Sequence, residues 1–150
     1  MALLNICAIT GGNMVVQVGL AFIRQEREVD YNWSLEFLRD IMAKESVQEP
    51  LSIVTDREIA LIKALQTYFP SSHHLLCRWH VNMNVLAKTK RFFAGPVKVG
   101  DKVERHPEFQ AFLRSWNMLI DSPTMSIYNQ RLADFKAKYP TNAVKYCTDI

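Results

Sequence analysis

Hydrophobic residues follow two patterns along this chain, short continuous runs in its first half and helical spacings throughout. Residues 3–9 and 14–23 form two apolar runs, separated by Thr-Gly-Gly-Asn at 10–13. Two such runs around a glycine turn predict an antiparallel hairpin, with a glycine at the positive φ of the turn. Because residues 14–23 contain few polar side chains, we expect the second strand to be covered on both faces.

An amphipathic helix is predicted after this hairpin. We place its N-cap at Asp30, after a charged loop over residues 24–29, and its end near Ser46, with Pro50 blocking continuation. The apolar face consists of residues spaced at helical intervals, Tyr31, Leu35, Leu38 and Met42, and is widened by Trp33, Phe37 and Ile41.

Strand and helix patterns alternate beyond Pro50. Strand candidates at 51–55 and 73–77 are each followed by helical spacing, over 57–69 and from 79 or 80 to 93. The order strand–helix–strand favours a parallel pair. The last third is helical, with one helix near 109–120, a second with Ser122 as N-cap and Pro123 at its first position, and a third from about 142 to 150. The sequence therefore predicts a mixed α/β fold followed by an all-helical tail.

Length and composition are those of a globular protein. The 150 residues are 49% hydrophobic and 22% charged, which allows a core and excludes a disordered chain. No apolar run reaches the ~18 residues of a membrane span, and the N-terminus lacks the signals of a secretory peptide, so we expect no membrane partner. Three widely spaced cysteines, Cys7, Cys77 and Cys147, are poor material for a disulfide framework and fit a reducing compartment.

Positive charge is concentrated in one stretch. The net charge is +3, but residues 78–102 carry six basic side chains against one acidic. Such a stretch can hold a polyanion or can be a solvated helix face. An exposed aromatic side chain here, such as Trp79, could stack on an unpaired base, whereas Phe92 and Phe93 suit a core position at a helix end. The candidate nucleic-acid contacts are Arg78, Lys88, Lys90 and Arg91.

Two places in the sequence could carry chemistry. Asp56 ends an apolar strand and begins a helix, where a carboxylate can ligate a divalent cation at the edge of a sheet. The same position suits a helix cap. Cys77 and His80 form Cys-x-x-His, half of a tetrahedral zinc site, and no second pair follows. A buried cysteine with a hydrogen-bonded histidine, and a catalytic Cys–His pair, are the other interpretations.

Together these residues resemble the transposase core of Mutator-like elements (MULE), a family that includes the plant FAR-RED-impaired-response regulators. The resemblance rests on Leu-Ser-Ile-Val-Thr-Asp-Arg-Glu at 51–58 and on Cys-Arg-Trp-His at 77–80. The segments at 3–10 and 33–38 also resemble the family, so the resemblance extends from about residue 3 to at least residue 93. Thr-Asp-Arg after a strand, followed at a distance by Cys-x-x-His, is specific as a combination.

The resemblance implies an RNase H-like mixed sheet, with its first strand missing, and a helical insertion at the C-terminal end. In that family three acids of a DDE site hold two magnesium or manganese ions for DNA cleavage and strand transfer. Asp56 matches the second acid, and Cys77 and His80 match the Cys-x-x-His signature, for which zinc is an alternative metal. The implied domains are a partial core at 1–93 and a helical insertion region at 94–150. The implied partner is DNA and the implied location is the nucleus.

The sequence departs from the family pattern at the other two acids. The strand that bears the first acid would precede Met1, and the third acid, a Glu, follows the insertion. One carboxylate is too few for two cations, so we expect a fragment of a DDE transposase that is inactive alone. The alternatives are a domesticated remnant that binds DNA or protein without catalysis, and a truncated product without function. Four further carboxylates lie outside the family's context, namely Glu104, Glu108, Asp121 and Asp149.

Overall fold

A computed structural model describes residues 1–149, with only the backbone of Val99. They form two compact units, Met1–Cys77 and Arg78–Ile150, and the predicted helix end at Ile150 lies outside the described residues. Within residues 1–149 the fold is mixed α/β, as predicted, with six α-helices and three two-stranded sheets. No helix in this part of the chain is long and apolar enough to cross a bilayer.

The first unit opens with the predicted antiparallel hairpin, in which β1 (Ala2–Ile9) pairs with β2 (Val15–Ile23). Thr10 closes the turn, because its Oγ1 accepts a hydrogen bond from the Met14 N–H at 3.2 Å. The prediction of a glycine at the positive φ is wrong, since this conformation belongs to Asn13, with φ at 59°. Asparagine tolerates the left-handed region because its short polar side chain can bond locally.

The prediction that β2 is covered on both faces is also wrong. Among the described residues β2 pairs only with β1, and its side chains alternate between two environments. Ala21 and Ile23 face the core of the unit, whereas Val18, Leu20 and Phe22 are more than half exposed. The continuous apolar run at residues 14–23 reflects the β-propensity of its residues and not burial on both faces.

Helix α1 (Glu28–Lys44) begins earlier than predicted, because its N-cap is Arg27 and not Asp30. Asp30 lies in the first turn, and its carboxylate accepts a hydrogen bond from Arg27 Nε at 3.1 Å. A carboxylate in the first turn is favoured by the positive end of the helix dipole.

Helix α1 has two apolar sides, of which only one is buried. Tyr31 and Leu35 are buried as predicted, but Trp33, Phe37 and Ile41 are each more than half exposed. At about 100° per residue, Trp33 and Phe37 point away from Tyr31, whereas Ile41 lies at the margin of the buried face. The three exposed residues do not widen the core face, and we name them, as a set, the exposed α1 stripe.

Two alanine substitutions on α1 test this assignment. Leu35 is 3% exposed and Phe37 is 62% exposed. Leu35→Ala should lower the free energy of unfolding by about 2–5 kcal/mol, because it leaves a cavity. Phe37→Ala should change it by no more than about 0.5 kcal/mol. Urea denaturation of both variants measures the difference, and equal losses would show that the stripe is covered in the folded protein.

The second half of this unit is the predicted parallel pair. β3 (Ser52–Thr55) pairs in parallel with β4 (His73–Leu76), and α2 (Ile59–Tyr68) connects them. Helices α1 and α2 pack against each other, and partly buried residues of β1, β2 and β3 close the same core. The buried residues of this core are Ile23, Tyr31, Leu35, Leu61, Ala64, Leu65 and Phe69.

The second unit is helical around an aromatic core. Its elements are α3 (Arg78–Thr89), followed by a 3-10 turn (Lys90–Phe92), then α4 (Pro107–Ile120), α5 (Met125–Lys138) and α6 (Thr141–Thr148). The rings of Phe112 and Phe135 stack with centroids 5.1 Å apart at the centre. The largest buried residues around them are Val85, Phe109, Trp116, Leu119 and Tyr139.

The tail is not entirely helical, which corrects the prediction. A hairpin of β5 (Val97–Val99) and β6 (Lys102–Glu104) lies between α3 and α4 and turns at Gly100, with φ at 60°. Strands of three residues are too short to show an alternating pattern.

The start of α5 also differs from the prediction. Thr124, and not Ser122, is its N-cap, and the Thr124 hydroxyl accepts a hydrogen bond from the Ile127 N–H at 3.3 Å. Ser122 instead follows the end of α4, and its N–H donates a hydrogen bond to the Leu119 carbonyl. Arg131 joins the two helices, because its guanidinium donates to the Met118 carbonyl and the Ser122 hydroxyl.

The assignment of the chain to an RNase H-like fold stays a prediction. The three sheets of the described residues are separate two-stranded pairs, and an RNase H-like sheet would join strands into one. The predicted boundary between 93 and 94 is likewise untested, although the Phe93 ring lies 5.1 and 4.9 Å from the rings of Phe109 and Phe112.

Candidate functional site

The parallel pair of the first unit places Asp56 beside Cys77. Thr55 and Leu76 are partners at the ends of β3 and β4. The Cys77 N–H donates to the Thr55 carbonyl at 2.6 Å, so the ladder continues one position past β4. The carboxyl ends of parallel strands lie at the same edge of a sheet. Asp56 and Cys77, both identified from sequence, directly follow these two strand ends and therefore lie next to each other.

The Asp56 carboxylate has a local structural role. Its Oδ1 accepts a hydrogen bond from the Glu58 N–H at 3.2 Å. The cap of α2 is Glu58, whose Oε1 accepts from the Ala60 N–H at 3.2 Å. Asp56 therefore holds the strand–helix turn and Glu58 caps the helix, and the exposed Asp56 side chain stays accessible to a ligand.

Three acidic residues act electrostatically on Tyr31, a buried residue of α1. Burial raises the pKa of Tyr31 to about 12, with further contributions from the charges of Glu26, Glu58 and Asp56. These three carboxylates are therefore close enough to Tyr31 to disfavour the ionised form of its side chain. The sequence pattern assigned Tyr31 only to the core. It could not show that these acids lie near Tyr31, because Glu26 and Glu58 are outside α1.

His80 belongs to the second unit, whereas Cys77 ends the first. The exposed His80 ring lies edge-on to the Trp79 ring, with centroids 4.8 Å apart and planes at 76°. Cys77 is partly buried and has a free thiol.

The metals that the resemblance implies need more ligands than the described residues at this edge of the sheet offer. Among residues 1–149, no group of three or more His, Cys, Asp or Glu side chains could hold a metal ion. A structural zinc site needs four ligands and a two-metal site needs several converging carboxylates. The described residues therefore do not by themselves fit magnesium, manganese or zinc, and we assign no metal chemistry to them.

The four basic candidates differ in their surroundings. The Arg78 guanidinium forms two hydrogen bonds with the Asp121 carboxylate, at 2.5 and 2.8 Å. This contact lowers the pKa of Asp121 and raises the pKa of Arg78, so the charge of Arg78 is already compensated. Lys88, Lys90 and Arg91 are exposed, and no ion pair to them is found within residues 1–149.

A mixed α/β unit with an acid and a cysteine at one strand edge, followed by an exposed basic segment, is the arrangement expected of a transposase-derived domain. The family model of the MULE transposase domain matches residues 1–84, and the chain belongs to this family. The resemblance deduced from the motifs is thereby confirmed.

Two curated proteins show how far the similarity extends. Protein FAR1-RELATED SEQUENCE 5 of Arabidopsis thaliana is 26% identical over 117 residues, covering 69% of this chain and 13% of that protein. PKS-NRPS hybrid synthetase cheA of Chaetomium globosum is 28% identical over 108 residues, covering 72% of this chain and 2% of that protein. The chain thus spans a small part of either relative. No solved structure matches the chain significantly.

Proposed function

We propose that this chain is a MULE-type transposase domain that binds DNA in the nucleus and holds Asp56 as one acid of a DDE centre. The observation that carries the proposal is the position of Asp56 beside Cys77 at the carboxyl edge of β3 and β4. Family membership supports DNA as the partner. The exposed charges of Lys88, Lys90 and Arg91 are suited to phosphate contacts.

The chain alone should not cut DNA. Two-metal strand transfer requires carboxylates that converge on both cations, and the described residues do not offer such a group. The nearby Glu58 side chain is used as the cap of α2. Catalysis by the parent enzyme would need acids beyond those brought together in residues 1–149, together with magnesium or manganese.

A plasmid assay tests both halves of this proposal. The purified chain is incubated with supercoiled plasmid in Mg²⁺ or Mn²⁺ and examined by gel electrophoresis. We expect a retarded plasmid band and no nicked product. Metal-dependent nicking that Asp56→Asn abolishes would contradict the inactivity of the isolated chain, and the absence of retardation at low salt would contradict DNA binding.

A second candidate function is protein binding by a non-catalytic remnant, the alternative drawn from the sequence. The exposed α1 stripe favours it, because its three large apolar side chains recur at every fourth residue of α1 and are each more than half exposed. The rings of Trp33 and Phe37 lie 6.2 Å apart on this stripe.

A further inference from the structure

Trp79 is an exposed tryptophan in a unit whose other tryptophan is buried. Its exposed fraction is 64%, against 6% for Trp116. The Trp116 indole N–H donates to Asn82 Oδ1 at 2.9 Å, as expected for a buried tryptophan with a satisfied polar atom. Trp79 contributes nothing comparable to the core, so stability of the fold does not explain its presence.

The indole of Trp79 is held from one side. The edge-on contact with His80, with ring centroids 4.8 Å apart, restricts its rotation and leaves most of its surface in solvent. Met83 follows one turn later on the same side of α3 and is 44% exposed. The two side chains form a small apolar platform at the start of the helix.

The charge at the other end of the helix identifies the kind of partner. Lys88, Lys90 and Arg91 are exposed at the C-terminal end of α3 and in the 3-10 turn that follows it. At 1.5 Å and about 100° per residue, Lys88 lies about 14 Å along the axis from Trp79 and about half a turn around it. A strand that contacts both residues must therefore cross the exposed face of α3, a distance that a few nucleotides can span. An exposed aromatic side chain near the start of a helix, with one exposed cation near its end and two in the turn that follows, is a combination suited to binding a single strand.

We propose that Trp79 stacks on an unpaired base of DNA while Lys88, Lys90 and Arg91 contact the phosphates of the same strand. This inference rests on the proposed DNA binding and adds the form of the ligand. An indole stacks on the face of a base, and in a duplex these faces are hidden between neighbouring pairs, so single-stranded DNA or an unpaired end should bind better than a closed duplex.

Fluorescence anisotropy with a labelled oligothymidine and with a labelled hairpin duplex tests the proposal on the full chain. Trp79→Ala should weaken binding to the single strand about 5- to 150-fold, the range for loss of one base stack, while Trp79→Phe retains most of the affinity. The matched control is Trp33→Ala, because Trp33 is 55% exposed on the first unit and should leave the affinity unchanged.

The salt dependence of DNA binding distinguishes the loss of base stacking from the loss of phosphate contacts. Trp79→Ala should leave the slope of log affinity against log salt unchanged, because no phosphate contact is lost. Equal single-strand affinities for Trp79→Ala, Trp33→Ala and the unmodified chain would overturn the stacking proposal while DNA binding stands. A loss that is as large on the duplex as on the single strand would also overturn it, and would indicate a general contact. Thermal melts that match the unmodified chain exclude misfolding as the cause of a loss.

Discussion

Phe112→Ala should lower the free energy of unfolding by about 3–5 kcal/mol, the range for a large aromatic side chain removed from a core. Phe112 is fully buried, and its ring lies within 5.3 Å of the rings of Phe93, Phe135 and Tyr139. Each of these contacts is lost, and the helices around the cavity cannot all collapse into it. A domain has about 5–15 kcal/mol of stability, so this substitution removes from about a fifth to all of that stability.

Thermal denaturation followed by circular dichroism measures this effect. For a unit of this size each kcal/mol corresponds to roughly 4–8 °C in Tm. Met118→Ala is the matched control, because Met118 lies on the same helix and is 56% exposed. A Tm for Phe112→Ala close to that of the control would show that the aromatic cluster is not the core of this unit.

The long helices could be predicted from sequence because their apolar residues repeat for several turns. Phe109, Phe112 and Trp116 in α4 are all buried, as their helical spacing predicts. In α4 the local pattern and the packing agree. The strand pair β3 and β4 was also found. β3 belongs to a short apolar run, whereas β4 contains His73 and His74 and is weak by composition.

The errors arose where an apolar residue does not face the core. Phe37 and Phe22 are hydrophobic yet more than half exposed, and sequence alone does not show which of two apolar sides has a neighbour. The hairpin around Gly100 was missed because its strands are too short for a period.

The candidate site could be predicted in part. The parallel direction of β3 and β4 follows from a strand–helix–strand pattern. The register that brings Asp56 and Cys77 together is known only from the structure. The ion pair between Arg78 and Asp121 joins residues 43 positions apart, and no local pattern connects them. The same holds for the acids around Tyr31, which come from separate segments.

The second large effect is expected from removing the uncompensated basic residues. The triple variant Lys88→Ala, Lys90→Ala, Arg91→Ala should lose most of the affinity for DNA, because all three side chains are exposed and form no ion pair within residues 1–149. Arg91 lies over the Phe92 ring, 4.8 Å from its centroid, and this contact leaves its charge uncompensated. Each phosphate contact in duplex DNA contributes about 0.9 to the slope of log affinity against log salt. The variant should therefore lose about 2.7 from this slope as well as affinity at low salt.

Arg78→Ala is the matched control for this variant. Its guanidinium is bound to the Asp121 carboxylate, so its removal should change the slope by much less than one contact. A larger effect of Arg78→Ala than of the triple variant would show that the phosphate contacts lie at the start of α3 and not at its end.

The salt dependence of DNA binding by the unmodified chain tests the central claim most directly. Affinity for a labelled duplex is measured by anisotropy at 50 and 200 mM salt. With three phosphate contacts the affinity should fall by about 40-fold between the two conditions, through release of counterions. No binding at the lower salt, or an affinity that does not change between them, would contradict a DNA-binding transposase domain.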